Sequence, residues 1–223
     1  MKYNSIIPSN ALITVAGTVG VGKSTLAMKL AETLNFKISM EKVDGNPYLE
    51  DYYADFERWS FHLQIYFLAE RYKQQKMMFE SGDGYVQDRS IYEDVGIFAR
   101  MQYEEGNMTS RDYETYSSLF EAMTLTPYFP SPHLLIYLEG SFDQVMERIY
   151  HRGRQMEINT SNSFWTGLYN RYEQWINSFE ACPVLRLNVA EYDLHKDETA
   201  IYRVIDQIEQ TLEGKSLQLS ERS

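Results

Sequence analysis

Only one cysteine, Cys182, occurs in 223 residues, which excludes an internal disulfide, and four scattered histidines beside one thiol do not make a zinc site. Cys182, next to Pro183, reads as a small packing residue. No apolar run approaches the roughly 20 residues of a membrane span, and the first residues lack the basic and apolar regions of a secretory leader. A cytoplasmic protein with no membrane partner is therefore expected. Positive charge is scarce too: 21 Lys and Arg face 32 Asp and Glu, a formal net charge of −11. Extended nucleic-acid binding, which depends on many cationic contacts to phosphates, is not expected. Any polyphosphate site must create its own positive region, so local arginine clusters become informative.

What is present is ordinary for a globular chain, 43% hydrophobic and 24% charged. No internal repeat or linker divides it, and one domain over 1–213 followed by a loose polar tail over 214–223 is expected. Near the start, the apolar run Ala11 to Ala16 breaks into Gly17-Thr18-Val19-Gly20-Val21-Gly22-Lys23-Ser24-Thr25. This is GxxxxGK[ST] between a strand and a helix. Its glycines let successive backbone N–H groups turn inward around phosphate oxygens, Lys23 reaches the β- and γ-phosphates, and the Ser24 hydroxyl is placed for Mg²⁺. A second Gly-Lys-Ser, at Gly214, serves as a control: it does not complete the motif, because Glu209 stands where the first glycine would be.

Leu26, Leu30 and Leu34 mark a helix ending near Asn35. Phe36 to Met40 reads as a strand with Glu41 at its end, Tyr48 to Asp55 as a short helix, and Phe56 to Phe79 as a long one closed by Gly82. On the long helix the aromatics Trp59, Phe61, Tyr66, Phe67 and Tyr72 are expected in the core. Tyr85 to Asp88 is a third strand, and Ser90 with Glu93 caps a helix that Gly106 ends. Another helix spans Ser110 to Met123. His133 to Leu138 is a strand, Ser141 with Gln144 caps a helix carrying Arg148 and Arg152, and Trp165 to Phe179 is helical. Val184 to Val189 is the fifth strand and Ile201 to Leu212 the last helix. Alternating strands and helices predict an α/β protein, with a five-stranded parallel sheet flanked by helices on both faces. In such sheets ligands bind at the strands' carboxyl ends, where Gly17, Glu41, Asp88 and Glu139 fall.

No aspartate is followed three residues later by glycine and no Asn-Lys-x-Asp occurs, which argues against a guanine-nucleotide switch. Asp88-Arg89 at a strand end could complete a Mg²⁺ shell and face reacting oxygens. Arg148, Arg152 and Arg154 flank Gly153 and resemble a phosphate-gripping lid, at about 148–158. Gln64 and Arg71 share one helical face two turns apart, and Asp94 and Phe98 share another. Together they could read and stack a nucleobase, although each taken singly is more often a surface charge or a core aromatic.

Gly17 to Thr25, Glu41-Lys42-Val43, Glu57 to Gln64, Asp88 to Asp94 and Arg152-Gly153-Arg154 together resemble the deoxyribonucleoside kinase family, above all its deoxyadenosine/deoxycytidine kinase branch, over nearly the whole chain. That resemblance implies a P-loop kinase fold and ATP- and Mg²⁺-dependent phosphorylation of a nucleoside 5′-hydroxyl in salvage. It implies Glu41 as general base, Arg89 holding Glu41 and the 5′-oxygen, and Asp88 with Ser24 serving Mg²⁺. Gln64, Arg71 and Asp94 would contact the base under Phe98, and Tyr53 and Glu157 the sugar 3′-hydroxyl. Arg148, Arg152 and Arg154 would close on the phosphates, and Glu191, Tyr192 and Asp193 would border the adenine of ATP. A homodimer through helices in about 91–123 is implied as well. Lys42, Asn46, Leu63 and Phe67 depart from common family residues and bear on substrate preference more than chemistry. A thymidylate-type monophosphate kinase and a non-catalytic nucleotide-binding module are the alternatives.

Overall fold

The computed structural model describes residues 6–41, 45–192, 194 and 196–220. Five parallel strands form one sheet: β1 (Leu12–Ala16), β2 (Lys37–Ser39), β3 (Tyr85–Asp88), β4 (Leu134–Glu139) and β5 (Val184–Asn188), in the order β2-β3-β1-β4-β5. Every residue of β1 and β3 is buried. Because successive strand side chains point to opposite faces, both faces of the sheet centre are covered. The helices that cover and extend it are α1 (Lys23–Leu34), α2 (Leu49–Ala54), α3 (Phe56–Ser81), α4 (Ile91–Glu93), α5 (Arg100–Glu104), α6 (Ser110–Thr124), α7 (Phe142–Arg152), α8 (Gln155–Ile158), α9 (Asn162–Asn177) and α10 (Ala200–Ser220). The core joins Ile13, Val15, Leu26, Leu30, Val86, Leu135, Leu168 and Ile205. The chain leaves β1 toward β2 on one side and reaches β4 on the other, so the loop after β1 lies where the strand order diverges, the place where such sheets open a crevice.

The local signals behave as their chemistry requires. Asn35 caps α1 in a left-handed conformation (φ 56°), Gly82 does so for α3, and both capping boxes form. Three expectations are corrected. The helix after Ser90 is not continuous: between α4 and α5 lies a π-helical turn, Asp94–Ala99. The last helix continues to Ser220, through most of the stretch expected to be a loose tail, and α8 carries no periodic signal in the sequence. On α3 the expected core aromatics Trp59, Phe61, Tyr66, Phe67 and Tyr72 are only half-buried. The buried stripe is instead Ser60, Leu63, Gln64, Leu68, Arg71, Gln74, Gln75 and Met78. Much of this polar stripe lies behind the cleft and is buried against interior partners, Ser60 on the Phe56 carbonyl, Arg71 on Asp94 and the Asp88 carbonyl, and Gln74 on the Met40 carbonyl, which offset the cost of leaving water.

Candidate active site

One continuous cleft of about 830 Å³ runs from the P-loop across the carboxyl ends of the strands to α3. At one end Val19 to Thr25 form its wall. Gly17 (φ 140°) has no room for a side chain, since a Cβ would lie 2.9 Å from the Leu138 carbonyl oxygen. Lys23 is buried and its ammonium donates to the Thr18 carbonyl oxygen at 3.0 Å. Burial and the neighbouring Arg89 lower its pKa to about 8, against the opposing pull of Asp88, Glu93 and Glu41. A phosphate at the loop would add negative charge beside this buried cation. The Ser24 hydroxyl donates to Asp88 Oδ2 at 2.5 Å, while Asp88 Oδ1 is buried without a partner. Two hard oxygen ligands with an unused carboxylate oxygen fit Mg²⁺, which takes few protein ligands and completes its shell with phosphates and water. Among the described residues no cluster of three His, Cys, Asp or Glu offers an alternative metal site.

Glu41, at the end of β2, has 18% of its side chain exposed and lies between two arginines: Arg89 Nε is 2.7 Å from its Oε1, and Arg71 Nη2 is 3.7 Å away. Burial alone would raise its pKa, but Arg89, Arg71 and Lys23 together outweigh burial and hold the carboxyl below its ordinary range. Arg89 sits at φ 69°, its backbone N–H bonded to the Val15 carbonyl at 2.9 Å and its guanidinium 4.6 Å from the Phe98 ring centre.

Arg71 is 2% exposed, and its Nε pairs with Asp94 Oδ2 at 3.1 Å. Its Nη1 reaches the Asp88 carbonyl oxygen at 3.3 Å and Gln74 Oε1 at 3.5 Å, and Gln74 in turn donates to the Met40 carbonyl at 2.9 Å. Burial raises the Asp94 pKa to about 6 despite Arg71 and Arg89. Gln64, Asp94, Phe98, Leu63 and Phe67 line the cleft here, with Gln64 Oε1 buried and unpartnered. Tyr53 also lines it, and burial raises its phenol pKa.

Arg148, Arg152, Arg154 and Glu157 also line the cleft. Arg148 donates to the Val21 carbonyl, Arg152 bonds Glu157 through Nε at 3.1 Å and through Nη2, and Arg154 Nη1 is 3.5 Å from Glu157 Oε1. Tyr192 lines the cleft, whereas Gly17, Thr18, Arg71 and Glu191 do not; Asp193 lies outside the described residues, as do Lys42 and Val43. Glu139, also at a strand end, pairs with Arg186 at 2.9 Å away from the cleft.

A sequence model described as deoxynucleoside kinase matches residues 13–213. The chain belongs to the deoxynucleoside kinase family. It is 62% identical over 202 residues to the deoxyadenosine/deoxycytidine kinase of Bacillus subtilis (strain 168), covering 91% of this chain and 93% of that one. Its fold is similar to that of deoxyadenosine kinase from M. mycoides with products dCMP and a flexible dCDP bound (TM-score 0.76, 32% identity, 88% of this chain and 98% of that one). A structure of that enzyme with bound dATP matches at TM-score 0.75 and 31% identity, over 89% and 98% of the two chains.

Sequence reading missed part of what surrounds this kinase's cleft. Gln74 had no signal beyond lying three residues after Arg71. Glu93 was legible only as a helix cap, although its other carboxylate oxygen accepts from the Gly17 N–H at 3.3 Å and from the Tyr172 hydroxyl at 3.0 Å.

Proposed function

We propose that this kinase transfers the γ-phosphoryl group of Mg·ATP to the 5′-hydroxyl of a deoxyribonucleoside in salvage, with deoxyadenosine and deoxycytidine as preferred acceptors and deoxyguanosine a further candidate. The observation that carries this reading is one continuous cleft with a P-loop at one end and Glu41, held by two arginines, further along it. Glu41 is the general base: it takes the 5′-hydroxyl proton as that oxygen bonds to the γ-phosphorus and the bond to the β–γ bridging oxygen breaks, leaving ADP. Arg89 orients Glu41 and the 5′-oxygen. Lys23, Arg148, Arg152 and Arg154 neutralise charge on the phosphates; Ser24 and Asp88 would hold Mg²⁺, which would supply further positive charge to the polyphosphate.

Gln64 and Asp94, with Arg71 behind it, read the base beneath Phe98. A carboxylate acceptor there suits adenine and cytosine, whose exocyclic amines donate, better than thymine. Tyr53 and Glu157 hold the 3′-hydroxyl, so Glu157 links the sugar to the lid arginines it already pairs with. Glu191, Tyr192 and Asp193 border the ATP adenine. Residues 1–213 act as one catalytic domain with a lid at about 148–158, in the cytoplasm. The homodimer forms through 91–123, where Tyr103 and Tyr113 stack at 4.5 Å and Leu119 is left exposed. A monophosphate kinase would need a free cation for its acceptor phosphate; near Glu41, Arg71 and Arg89 are both already paired with carboxylates. Steady-state rates with Mg·ATP across deoxyadenosine, deoxycytidine, deoxyguanosine, thymidine and the ribonucleosides test the reading. Turnover of the first two well above thymidine is expected, and turnover of none would overturn it.

A further inference from the structure

We propose that Tyr172 and Glu93 are positioning residues for phosphoryl transfer, holding Arg89 from behind and tying the Arg89–Glu41 pair to the backbone at the mouth of the P-loop. This inference rests on the reading of Glu41 as base and Arg89 as its holder. Neither residue lines the cleft, and both are fully buried, so their polar atoms are satisfied by neighbouring protein groups.

Arg89 Nη1 donates to the Tyr172 hydroxyl at 2.7 Å, and that hydroxyl donates to Glu93 Oε1 at 3.0 Å. The same oxygen accepts from the Gly17 N–H at 3.3 Å. An unbroken polar chain therefore runs from the first glycine of the P-loop through Glu93, Tyr172 and Arg89 to Glu41. Capping α4 needs only Oε2 of Glu93, which takes the Ser90 N–H at 2.8 Å and the Ser90 hydroxyl at 3.3 Å. The contacts of Oε1 are additional to that role. Likewise, the Tyr172 ring packs edge-on against Phe98 and Trp175, as a phenylalanine would. The distinct task of its buried hydroxyl is the two hydrogen bonds. Arg89 itself has a left-handed backbone that a non-glycine residue keeps only when its surroundings hold it, and the Tyr172 hydrogen bond is one such restraint. The consequence is geometric coupling: a shift of the P-loop mouth moves Glu93, and through Tyr172 the arginine that aims Glu41.

The test compares wild type, Tyr172→Phe, Arg89→Lys and the double variant, with deoxyadenosine and Mg·ATP and with folding checked by thermal melts. Tyr172→Phe is predicted to lower kcat about 10-fold while changing the KM of deoxyadenosine and of ATP less than about two-fold. In the Arg89→Lys background, where the second arm of the guanidinium is gone, the same change is predicted to add less than about two-fold. The acid limb of the kcat–pH profile should also move to higher pH in Tyr172→Phe, because Arg71 and Lys23 would then hold Glu41 with less help from Arg89. Should Tyr172→Phe not fold, Glu93→Gln carries the test: it is predicted to lower kcat and raise the KM for ATP while leaving that for deoxyadenosine unchanged. A folded variant with wild-type kcat, a loss confined to KM, or a full additional loss in the Arg89→Lys background would overturn the proposal. Wild type inactive on every deoxynucleoside would instead overturn the functional reading beneath it.

Discussion

Replacing Glu41 with glutamine removes the proposed base while keeping its volume and an oxygen that can still accept from Arg89. The wild-type carboxyl is held below its ordinary range by Arg89 at 2.7 Å and Arg71 at 3.7 Å, so it is ionised throughout the neutral region and able to take a proton in nearly every molecule. General-base removal typically costs about 10²–10⁴-fold, which corresponds to about 2.7–5.5 kcal/mol of transition-state stabilisation. The two arginines do not become unpaired: Arg89 keeps Tyr172 and Arg71 keeps Asp94. The loss should therefore fall on kcat, with deoxynucleoside affinity close to wild type. Steady-state kinetics with labelled ATP give kcat, and equilibrium titration of deoxyadenosine gives the affinity. Turnover within about three-fold of wild type would remove Glu41 from the chemistry, and an intact kcat with weakened binding would make it a binding residue.

Asp94→Ala should destabilise the fold by about 3 kcal/mol in chemical denaturation, because it strips the nearest counter-ion from a buried arginine; replacing Arg71 and Asp94 together with apolar residues should cost less stability yet abolish selective use of deoxyadenosine and deoxycytidine. Since burial raises Asp94 to about 6, its carboxylate is an acceptor above that pH and becomes protonated below it. The KM for deoxyadenosine should thus rise as pH falls through about 6, a dependence that Asp94→Asn should remove. Gly96→Ala places a methyl 2.7 Å from the Trp175 ring inside the π-helical turn that carries Asp94 and Phe98. It should cost about 1–3 kcal/mol and raise the deoxynucleoside KM, with the KM for ATP unchanged.

Features carried by local chemistry were legible in the sequence: the P-loop, the Asn35 and Gly82 caps, both capping boxes, and strand ends that deliver Glu41 and Asp88. What escaped was decided by contacts distant in sequence. Helix α3 has apolar and aromatic residues on most sides, so periodicity could not show that its buried stripe includes Gln64, Arg71 and Gln74. The π-helical turn leaves no compositional mark, and the ring that Gly96 packs against within it, Trp175, lies about eighty residues later. The partners of Glu93 lie at Gly17 and Tyr172, and no spacing rule connects them.

The central claim, that the cleft receives a nucleoside rather than a nucleotide as acceptor, is tested most directly by competition. Purified protein is given γ-labelled Mg·ATP with equal deoxyadenosine and deoxyadenosine monophosphate, and the products are separated. Label on the 5′-oxygen of deoxyadenosine, with none passed on to the diphosphate, is the predicted result; label in the diphosphate while deoxyadenosine stays unreacted would contradict it.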